Sequence, residues 1–326
     1  MKRFLIIQTA FIGDVILATP LIEKLKLHYP EAEIDFLLRK GNEALLDNNP
    51  HVNRVFVLDK KSRKYANVFQ IIRRVRKYRY DHLFNLQRFF TTGLITLFAR
   101  SKRKSGFDKN PLSFTFDHKV HHEIGNGRHE IERNIDLVAP VADSTFLKPR
   151  LYPSNKDFEE VSQYQKRAYI TVAPASVWYT KQFPKEQWVA FLNELDAQYD
   201  VHLIGGPEDH ALCSEIIEQT NRGTISNLAG KLTFLQTAAL MKKARMNYVN
   251  DSAPLHIASA MNAPVTAVFC STIPGFGFYP VSDQSHVVET DVDLDCRPCG
   301  LHGYSACPEG HFKCARSIDI EKLLIR

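Results

Sequence analysis

Short apolar runs alternate with longer amphipathic stretches along the chain, and this rhythm predicts β-strands separated by α-helices. In the first half, strands are predicted at residues 2–8, 34–38, 52–58 and 80–87, and helices at 14–28, 41–48, 68–77 and 91–99. Pro20 would kink or restart the first helix. Strands separated by helices in this order favour a parallel sheet that is covered on both faces.

The second half repeats the rhythm after a proline-marked connection. Residues 105–130 show no regular pattern, a helix is predicted at 131–137, and Pro140, Pro149 and Pro153 mark a linker. Strands are predicted at 168–172, 201–204, 224–227, 246–250 and 265–269, with helices at 184–199, 208–219 and 233–244. The pattern therefore predicts an α/β chain of two doubly wound domains, residues 1–150 and 151–326, facing each other across a cleft.

Length and composition agree with this interpretation. The chain has 326 residues, 44% of them apolar, and usual domain sizes predict two domains of roughly 150 residues each. Gln8, Gly13 and Asp14 interrupt the apolar N-terminal run, and no apolar stretch approaches the roughly 20 residues of a membrane span. We therefore expect a cytoplasmic protein whose first strand is buried.

The stretch 246–270 predicts a strand, a polar turn, a short helix and a second strand. Asp251 and Ser252 stand at helix N-cap positions, Pro254 falls in the first turn, and His256 follows on the helix. A helix start offers free N–H groups and the positive end of a dipole, so a diphosphate would fit there. An ordinary βαβ unit with a capped helix and a surface histidine explains the same residues.

Polar residues also follow other predicted strands, at Gly13–Asp14, at Thr180–Lys181, and at Gly205 and Gly206, where backbone can approach a ligand. Ligands bind at the carboxyl ends of parallel strands, so these turns would line the cleft. Asp14 would be a helix cap or a general base, and Lys181 a solvated lysine or a charge on a phosphate. No strand is followed by GxGxxG, and GxxxxGK[ST] is absent, which argues against dinucleotide oxidoreductases and P-loop NTPases.

Four motifs together resemble glycosyltransferase family 9, which includes the ADP-heptose:lipopolysaccharide heptosyltransferases. They are GDVILATPLIEKL at 13–25, TKQFPKEQW at 180–188, LIGGPED at 203–209 and NDSAPLHIASAMNAPVTAVF at 250–269, in the order and spacing of the family. YDHLFNLQ at 80–87 looks like the family's Y-D-x-x-x-D-x-Q strand, with Asn85 in place of the acidic residue, and HEIERN at 129–134 resembles its linker helix. The resemblance covers about residues 1–290.

The resemblance implies a GT-B fold, with the acceptor bound mainly by the N-terminal domain and the nucleotide-sugar donor by the C-terminal one. It implies inverting transfer that requires no metal or other cofactor, with Asp14 as the general base. The donor-binding residues that it implies are Lys181, Gly205, Gly206, Asp251, Ser252, Ala253 and His256. The helix N-terminus and Lys181 would offset the charge that builds on the leaving nucleoside diphosphate.

One position departs from the family's pattern. Heptosyltransferases tend to place a glutamate about sixteen residues before the position of Asp251, where it can contact the donor ribose, and this chain has Leu235 there with Gln236 beside it. ADP-heptose is the first expectation for the donor, and another nucleotide sugar is the alternative.

Positive charge is concentrated in one segment. The formal net charge is +6, but residues 51–104 carry fifteen Lys or Arg against two Asp, so this segment is +13 and the rest sums to −7. The segment is either a solvated basic face or a docking site for an anionic partner. A phosphorylated glycolipid acceptor at the inner face of the cytoplasmic membrane would suit it, which implies a peripheral membrane protein. The expected acceptor contacts are Gly13, Arg73, Arg76, Arg88 and Lys102.

The C-terminal tail carries four cysteines within nineteen residues, at Cys296, Cys299, Cys307 and Cys314. In a chain without an export signal, such a group favours a Zn²⁺ site over disulfides, with free thiols as the main alternative. Four thiolates leave no open coordination position, so the zinc would be structural. Cys213 and Cys270 are expected in the core.

Two other functions stay open from the residues alone. A nucleotide-sugar epimerase can share the two-domain fold, but additional acid and base residues would be expected around the sugar. A nucleic-acid-binding protein would use the basic segment and the cysteines. Phe89 and Phe90 near the basic runs lie in apolar helical patterns rather than as exposed stacking platforms, so we expect no nucleic-acid partner.

Overall fold

The computed structural model describes residues 1–61 and 63–324, which form two compact units. Unit 1 comprises residues 1–124 and 128–152, and unit 2 comprises residues 125–127 and the chain from Pro153 onward. Each unit has its own apolar core, built from inward-facing strand residues and the helices that cover them.

Unit 1 is a parallel sheet of six strands with helices between them. Its strands are β1 (Arg3–Ile7), β2 (Glu33–Arg39), β3 (Arg54–Leu58), β4 (Tyr80–Asn85), β5 (Ser101–Phe107) and β6 (His118–Val120). Its helices are α1 (Ile12–His28), α2 (Lys64–Val75), α3 (Phe90–Phe98) and α4 (Glu130–Asp136). The strand order is β3-β2-β1-β4-β5-β6. The central strands are apolar because both faces of the sheet are covered.

Unit 2 repeats this architecture. Its strands are β7 (Tyr169–Ala173), β8 (Asp200–Leu203), β9 (Ile225–Asn227), β10 (Asn247–Asn250), β11 (Val265–Phe269) and β12 (Ser285–Glu289). Its helices are α5 (Asn155–Val161), α6 (Lys185–Glu194), α7 (His210–Gln219), α8 (Phe234–Lys243), α9 (Ala253–Met261) and α10 (Lys313–Arg316). The strand order is β12-β11-β10-β7-β8-β9.

Counted within each unit, both sheets have the order 3-2-1-4-5-6 of the Rossmann fold. In each sheet, successive strands are added first toward one side and then toward the other. The strand order therefore reverses between β1 and β4 in unit 1, and between β7 and β10 in unit 2. Ile7 pairs with Asn85 at the first switch point, and Ala173 pairs with Val249 at the second. The prediction of an α/β fold with two doubly wound domains is confirmed.

Several predicted elements differ from the structure. Residues 105–130 contain the end of β5 and all of β6, although the sequence showed no regular pattern there. The basic start of β5 is exposed and only its end is buried, so it lacks the apolar run of a central strand. The helix predicted at 184–199 ends at Glu194, and α5 and β12 were not predicted. Pro20 lies inside α1, which continues unbroken to His28.

Candidate functional site

The switch point of unit 1 carries Asp14 and Arg88. Asp14 lies in the first turn of α1, just after β1, and its carboxylate accepts the Phe11 N–H at 3.0 Å. Arg88 follows β4, the strand beside β1. Gly13 precedes Asp14 in the same turn. The structure therefore brings Gly13, Asp14 and Arg88 to one edge of the sheet, where ligands of doubly wound folds bind.

The Asp14 carboxylate is half-buried at this edge of the sheet. Its burial and the nearby charge of Glu130 raise the pKa of Asp14 to about 6, against the opposing effects of the Phe11 N–H and Arg88. A carboxylate with this pKa is ionised at pH 7 and is a better proton acceptor than an ordinary aspartate. Asp14 can thus cap α1 and still act as a general base.

Glu130 belongs to a buried charged network at the start of α4. Its Oε2 accepts Arg133 Nε at 2.8 Å and lies 3.6 Å from His122 Nε2. Burial disfavours the ionised form of Glu130, but His122 and Arg133 outweigh it and lower the pKa of this carboxyl overall. Glu130 therefore stays negatively charged beside Asp14. Glu130 belongs to the HEIERN segment at 129–134, but its effect on Asp14 was not predicted, because the two residues are close only in the fold.

The other expected acceptor contacts lie elsewhere in unit 1. Lys102 forms an ion pair with Asp81 at 2.8 Å, at the amino ends of β5 and β4. Arg76 follows the C-terminus of α2 and donates to Phe98 O at 3.0 Å, and Arg73 is exposed one turn before the end of α2. These three residues therefore lie toward the opposite edge of the sheet from Asp14.

The switch point of unit 2 brings Lys181 and Asp251 together. Lys181 ends a 3₁₀ turn after β7, and Asp251 directly follows β10. Lys181 Nζ lies 2.7 Å from Asp251 Oδ2, which also accepts the Thr272 hydroxyl at 2.7 Å. The carboxylate thus fixes the lysine beside the start of α9. Asp251 was expected to cap α9, but its side chain forms this ion pair instead.

Helix α9 begins at the same edge. Ser252 is its N-cap by backbone position, but its hydroxyl contacts Asn250 O at 3.4 Å and makes no capping bond to the described helix. Ala253 is the first helical residue, and His256 is buried within the first turn. The N–H groups of a first helical turn lack helical acceptors, so this edge combines their positive dipole end with the Lys181 ammonium. The arrangement suits a phosphate or diphosphate.

Gly205 and Gly206 follow β8, the strand next to β7. A Cβ at Gly205 would lie 2.6 Å from Asp209 Oδ2, and one at Gly206 2.7 Å from Glu208 Oε2. Asp209 in turn accepts the Gly206 N–H at 2.8 Å. The glycines therefore make room for the acidic turn that starts the next helix, whether or not a donor approaches them.

Asn250 and Thr180 hold the Lys181 turn, through contacts that the motifs containing them did not predict. Asn250, the last residue of β10, accepts the Phe183 N–H at 2.9 Å and donates to Pro174 O at 2.8 Å. Thr180 Oγ1 accepts the Tyr304 N–H at 2.8 Å and the Ser271 hydroxyl at 3.0 Å. The sequence signals were that Thr180 precedes Lys181 and that Asn250 precedes the Asp-Ser turn, each at the start of a family motif. The partners of Thr180 lie about 90 or more residues away in the sequence.

Leu235 and Gln236, which stand where heptosyltransferases tend to have a glutamate, pack and cap helix α8. Leu235 is buried in α8, and Gln236 accepts the Thr233 N–H at 2.8 Å in a capping box. Gln236 also donates to Glu160.

The four tail cysteines are free thiols in the described structure. Burial and the neighbouring Cys296 and Cys307 raise the pKa of Cys299, and burial raises that of Cys314 to about 11. Over residues 1–61 and 63–324, no group of three or more His, Cys, Asp or Glu is arranged to hold a metal ion. Structural zinc therefore stays a prediction. Cys213 and Cys270 lie in the core, as expected.

Two doubly wound units with charged groups at their switch points form the GT-B architecture, which glycosyltransferases share with nucleotide-sugar epimerases. The model of glycosyltransferase family 9 (heptosyltransferase) matches residues 68–303, and the chain belongs to this family. It is 30% identical over 282 residues to lipopolysaccharide heptosyltransferase 3 of Escherichia coli, covering 80% of this chain and 82% of the relative.

Two solved structures show the same fold. A family 9 glycosyltransferase of Veillonella parvula is 21% identical, with a TM-score of 0.85 over 99% of this chain and 95% of the other. The E. coli ADP-heptose lps heptosyltransferase II is 23% identical, with a TM-score of 0.76 over 92% and 96%. The resemblance drawn from four motifs is confirmed, and family membership favours a transferase over an epimerase.

Proposed function

We propose that the protein transfers heptose from ADP-heptose to a lipopolysaccharide-core or related glycolipid acceptor, at the inner face of the cytoplasmic membrane. The names of the similar proteins support heptose as the sugar and lipopolysaccharide as the acceptor class. The observation that carries the proposal is that the motif residues of the family lie at the switch points of the two sheets. Asp14 lies at the first, with Arg88 of the basic segment at the same edge, and Lys181 and Asp251 lie at the second.

In the proposed reaction, Asp14 accepts the proton of an acceptor hydroxyl while that oxygen attacks the anomeric carbon of the sugar. The bond from this carbon to the diphosphate breaks, and the electron pair leaves with ADP. Attack on the face opposite the leaving group inverts the anomeric configuration. The pKa of Asp14, raised to about 6, suits it to take the proton at neutral pH.

The donor diphosphate is proposed to bind at the start of α9, with Lys181 as its main charged contact. Ser252, Ala253 and His256 would surround it on the first turn, and Gly205 and Gly206 would lie nearby. Positive charge fixed before the reaction stabilises the leaving group without reorganisation, so the proposal includes no catalytic metal. Asp251 would act by orienting Lys181.

The first test separates the base from the donor site. Asp14→Asn should lower kcat by about 10²- to 10⁴-fold, the usual contribution of a general base, and leave ADP affinity unchanged. The wild-type kcat/KM should fall as the pH decreases through about 6, because protonated Asp14 cannot accept a proton. Lys181→Ala should weaken ADP binding by about 10- to 100-fold, the value of a charge-assisted hydrogen bond. Calorimetry with ADP, UDP, GDP and CMP measures the affinities and selectivity.

The amide of Asp14→Asn can still accept the Phe11 N–H, so the variant should retain the cap of α1. Loss of ADP binding in this variant would show that Asp14 supports the structure rather than the reaction. Selective binding of another nucleotide would retain the transferase and replace the proposed donor.

A further inference from the structure

Helix α2 exposes aromatic and basic side chains on one surface of unit 1. Val68, Ile71, Ile72 and Val75 face the core and hold the helix against the sheet. Tyr65 and Phe69, one turn apart on another face, are 73% and 62% exposed. These two residues are neighbours on the helix, so their side chains form a contiguous apolar patch, and such patches mark interaction surfaces more often than single exposed apolar residues do.

Phe98 extends this surface beyond the helix. Arg76, just after α2, donates to Phe98 O, and the Phe98 ring is 46% exposed. We define the α2 face as Tyr65, Phe69, Arg73, Arg76, Lys77 and Phe98. All six are exposed, and the aromatic residues lie among the basic ones.

The α2 face carries only positive charge. Residues 60–80 contain nine Lys or Arg and no Asp or Glu. Within the described residues, no carboxylate lies within ion-pair distance of Arg73, Arg76 or Lys77. Part of the KKSRK run at 60–64 lies outside the description, since Ser62 is not described. The face nevertheless presents a uniform positive field to any partner.

We propose that the α2 face docks on an anionic lipid bilayer, with Phe69 and Tyr65 entering the headgroup region and the basic residues contacting lipid phosphates. Basic side chains with interspersed aromatic ones are the composition of interfacial membrane-binding elements. The inference deepens the proposed function, since it names the surface behind the proposed peripheral association. None of the described helices is long and apolar enough to cross a membrane.

The basic, C-terminal part of the face lies away from the proposed base, whereas Tyr65, at the start of α2, lies toward the carboxyl edge of the sheet. Arg76 and Phe98 lie near the amino ends of β4 and β5, whereas Asp14 follows the carboxyl end of β1. Parallel strands of five or six residues separate these edges by roughly 20 Å. Arg73 and Arg76, first expected to contact the acceptor, would therefore contact lipid, and Arg88 is the basic residue that lies beside the proposed base.

Co-sedimentation of the whole protein with vesicles tests the proposal. Vesicles of equal parts phosphatidylglycerol and phosphatidylcholine should bind the protein, pure phosphatidylcholine should not, and added salt should weaken the binding. Arg73→Gln/Lys77→Gln should weaken binding by about 30-fold, since each basic residue at an anionic surface contributes roughly fivefold. Phe69→Ser should weaken it at least about threefold.

Matched controls come from the same unit. Lys109→Gln/Lys119→Gln removes the same charge from exposed positions outside the face, and Phe114→Ser removes an equally exposed phenylalanine. Neither should change vesicle binding by more than about twofold. Equal effects of the control and test variants would overturn the proposal, because binding would then depend on net charge or general hydrophobicity.

Kinetics with a lipid-free acceptor glycan separate this inference from the proposed function. The α2-face variants should retain wild-type kcat and KM for such an acceptor, and wild-type ADP affinity. A raised KM for the lipid-free acceptor would show that the face binds the acceptor itself, which would overturn membrane docking. If ADP-heptose is not the donor, the ADP titration will show no selective binding of ADP, and binding to vesicles will be unaffected.

Discussion

At the scale of single residues, the environment of Asp14 decides what this carboxylate can do. The Phe11 N–H and Arg88 favour its ionised form, but burial and Glu130 outweigh them. Glu130 remains charged because Arg133 and His122 neutralise it in the interior. The buried network of Glu130, Arg133 and His122 thus adds to the effect of burial on the pKa of Asp14, without a hydrogen bond to Asp14.

Glu130→Gln should move the acidic limb of the pH profile to lower pH. Removing the negative charge of Glu130 favours the ionised form of Asp14, so its pKa should fall below about 6, while burial keeps it above the ordinary value of an aspartate. The kcat/KM value at pH 5, relative to that at pH 8, should therefore rise. The pH dependence of kcat/KM for wild type and variant measures the shift.

Glu132→Gln is the matched control on the same helix. Glu132 accepts the His129 N–H at 2.7 Å and does not contribute to the pKa of Asp14. In Glu132→Gln, the acidic limb of the pH dependence of kcat/KM should stay at the wild-type position. A lower rate at every pH in Glu130→Gln, without a shift of the limb, would mean that Glu130 only supports the fold.

The sequence could identify Asp14, Lys181 and Asp251 because each follows a predicted strand and begins a turn. It marked Thr180 and Asn250 only as members of motifs, and it could not show that Glu130 lies near Asp14 or that Thr180 and Asn250 hold the Lys181 turn, because these neighbours are distant in the chain. Nor could it predict that Lys181 and Asp251 pair with each other. Local pattern marks where a ligand could bind, and only the fold shows what holds the binding groups in place.

At the scale of elements, the cysteine-rich tail supports the Lys181 turn. Thr180 and Tyr304 exchange hydrogen bonds, since the Thr180 N–H donates to Tyr304 O at 3.1 Å and the Tyr304 N–H donates to Thr180 Oγ1. Arg297 donates to Cys270 O at 2.7 Å and to Thr272 O at 2.8 Å, at the end of β11. The tail therefore packs onto the same sheet edge that carries Lys181 and Asp251.

Gly303→Ala should weaken ADP binding by at least about fivefold. Gly303 has a φ of +74°, and a Cβ there would lie 2.8 Å from Thr180 Oγ1 and 3.0 Å from Lys181 Cγ. The alanine would displace the Lys181 turn as well as cost about 1–2 kcal/mol in backbone strain. ADP titration of the variant measures the loss.

Gly310→Ala provides the control, because Gly310 has a similar φ of +68° and its Cβ would meet nothing within 4 Å. It should lower stability to a similar degree and leave ADP affinity unchanged. If both variants lose ADP affinity equally, the loss comes from strain in the tail and not from contact with Lys181.

Elements with strong apolar patterns were predicted well, and weakly patterned ones were not. β1, β7 and β11 are almost fully buried and their sequences are largely apolar runs, whereas the buried strands β4 and β10 also carry polar residues. β6 and β12 lie at sheet edges, where one side is unpaired and exposed residues interrupt the pattern. β5 was not predicted for a similar reason: its first residues are basic and exposed, and charged residues at an exposed strand end resemble a loop.

At the scale of the whole molecule, two sheets of the same strand order each place charged groups at their switch point. The alternation of strands and helices was enough to predict both sheets. The order of the strands was implied by the family resemblance rather than by the pattern, because periodicity does not define which strands are neighbours. The division of roles between acceptor and donor units rests on the same resemblance.

The proposed chemistry requires no metal in the transfer step, and this gives a prediction for the complete enzyme. The rate of heptose transfer from ADP-heptose should be unchanged in EDTA, because Lys181 and the start of α9 are proposed to supply the positive charge that the leaving diphosphate needs. Initial rates with and without EDTA, followed by addition of Mg²⁺ or Zn²⁺, measure this. Loss of activity restored by Mg²⁺ would contradict the proposed leaving-group stabilisation. Loss restored only by Zn²⁺, with a fall in melting temperature, would instead reveal a structural metal in the cysteine tail.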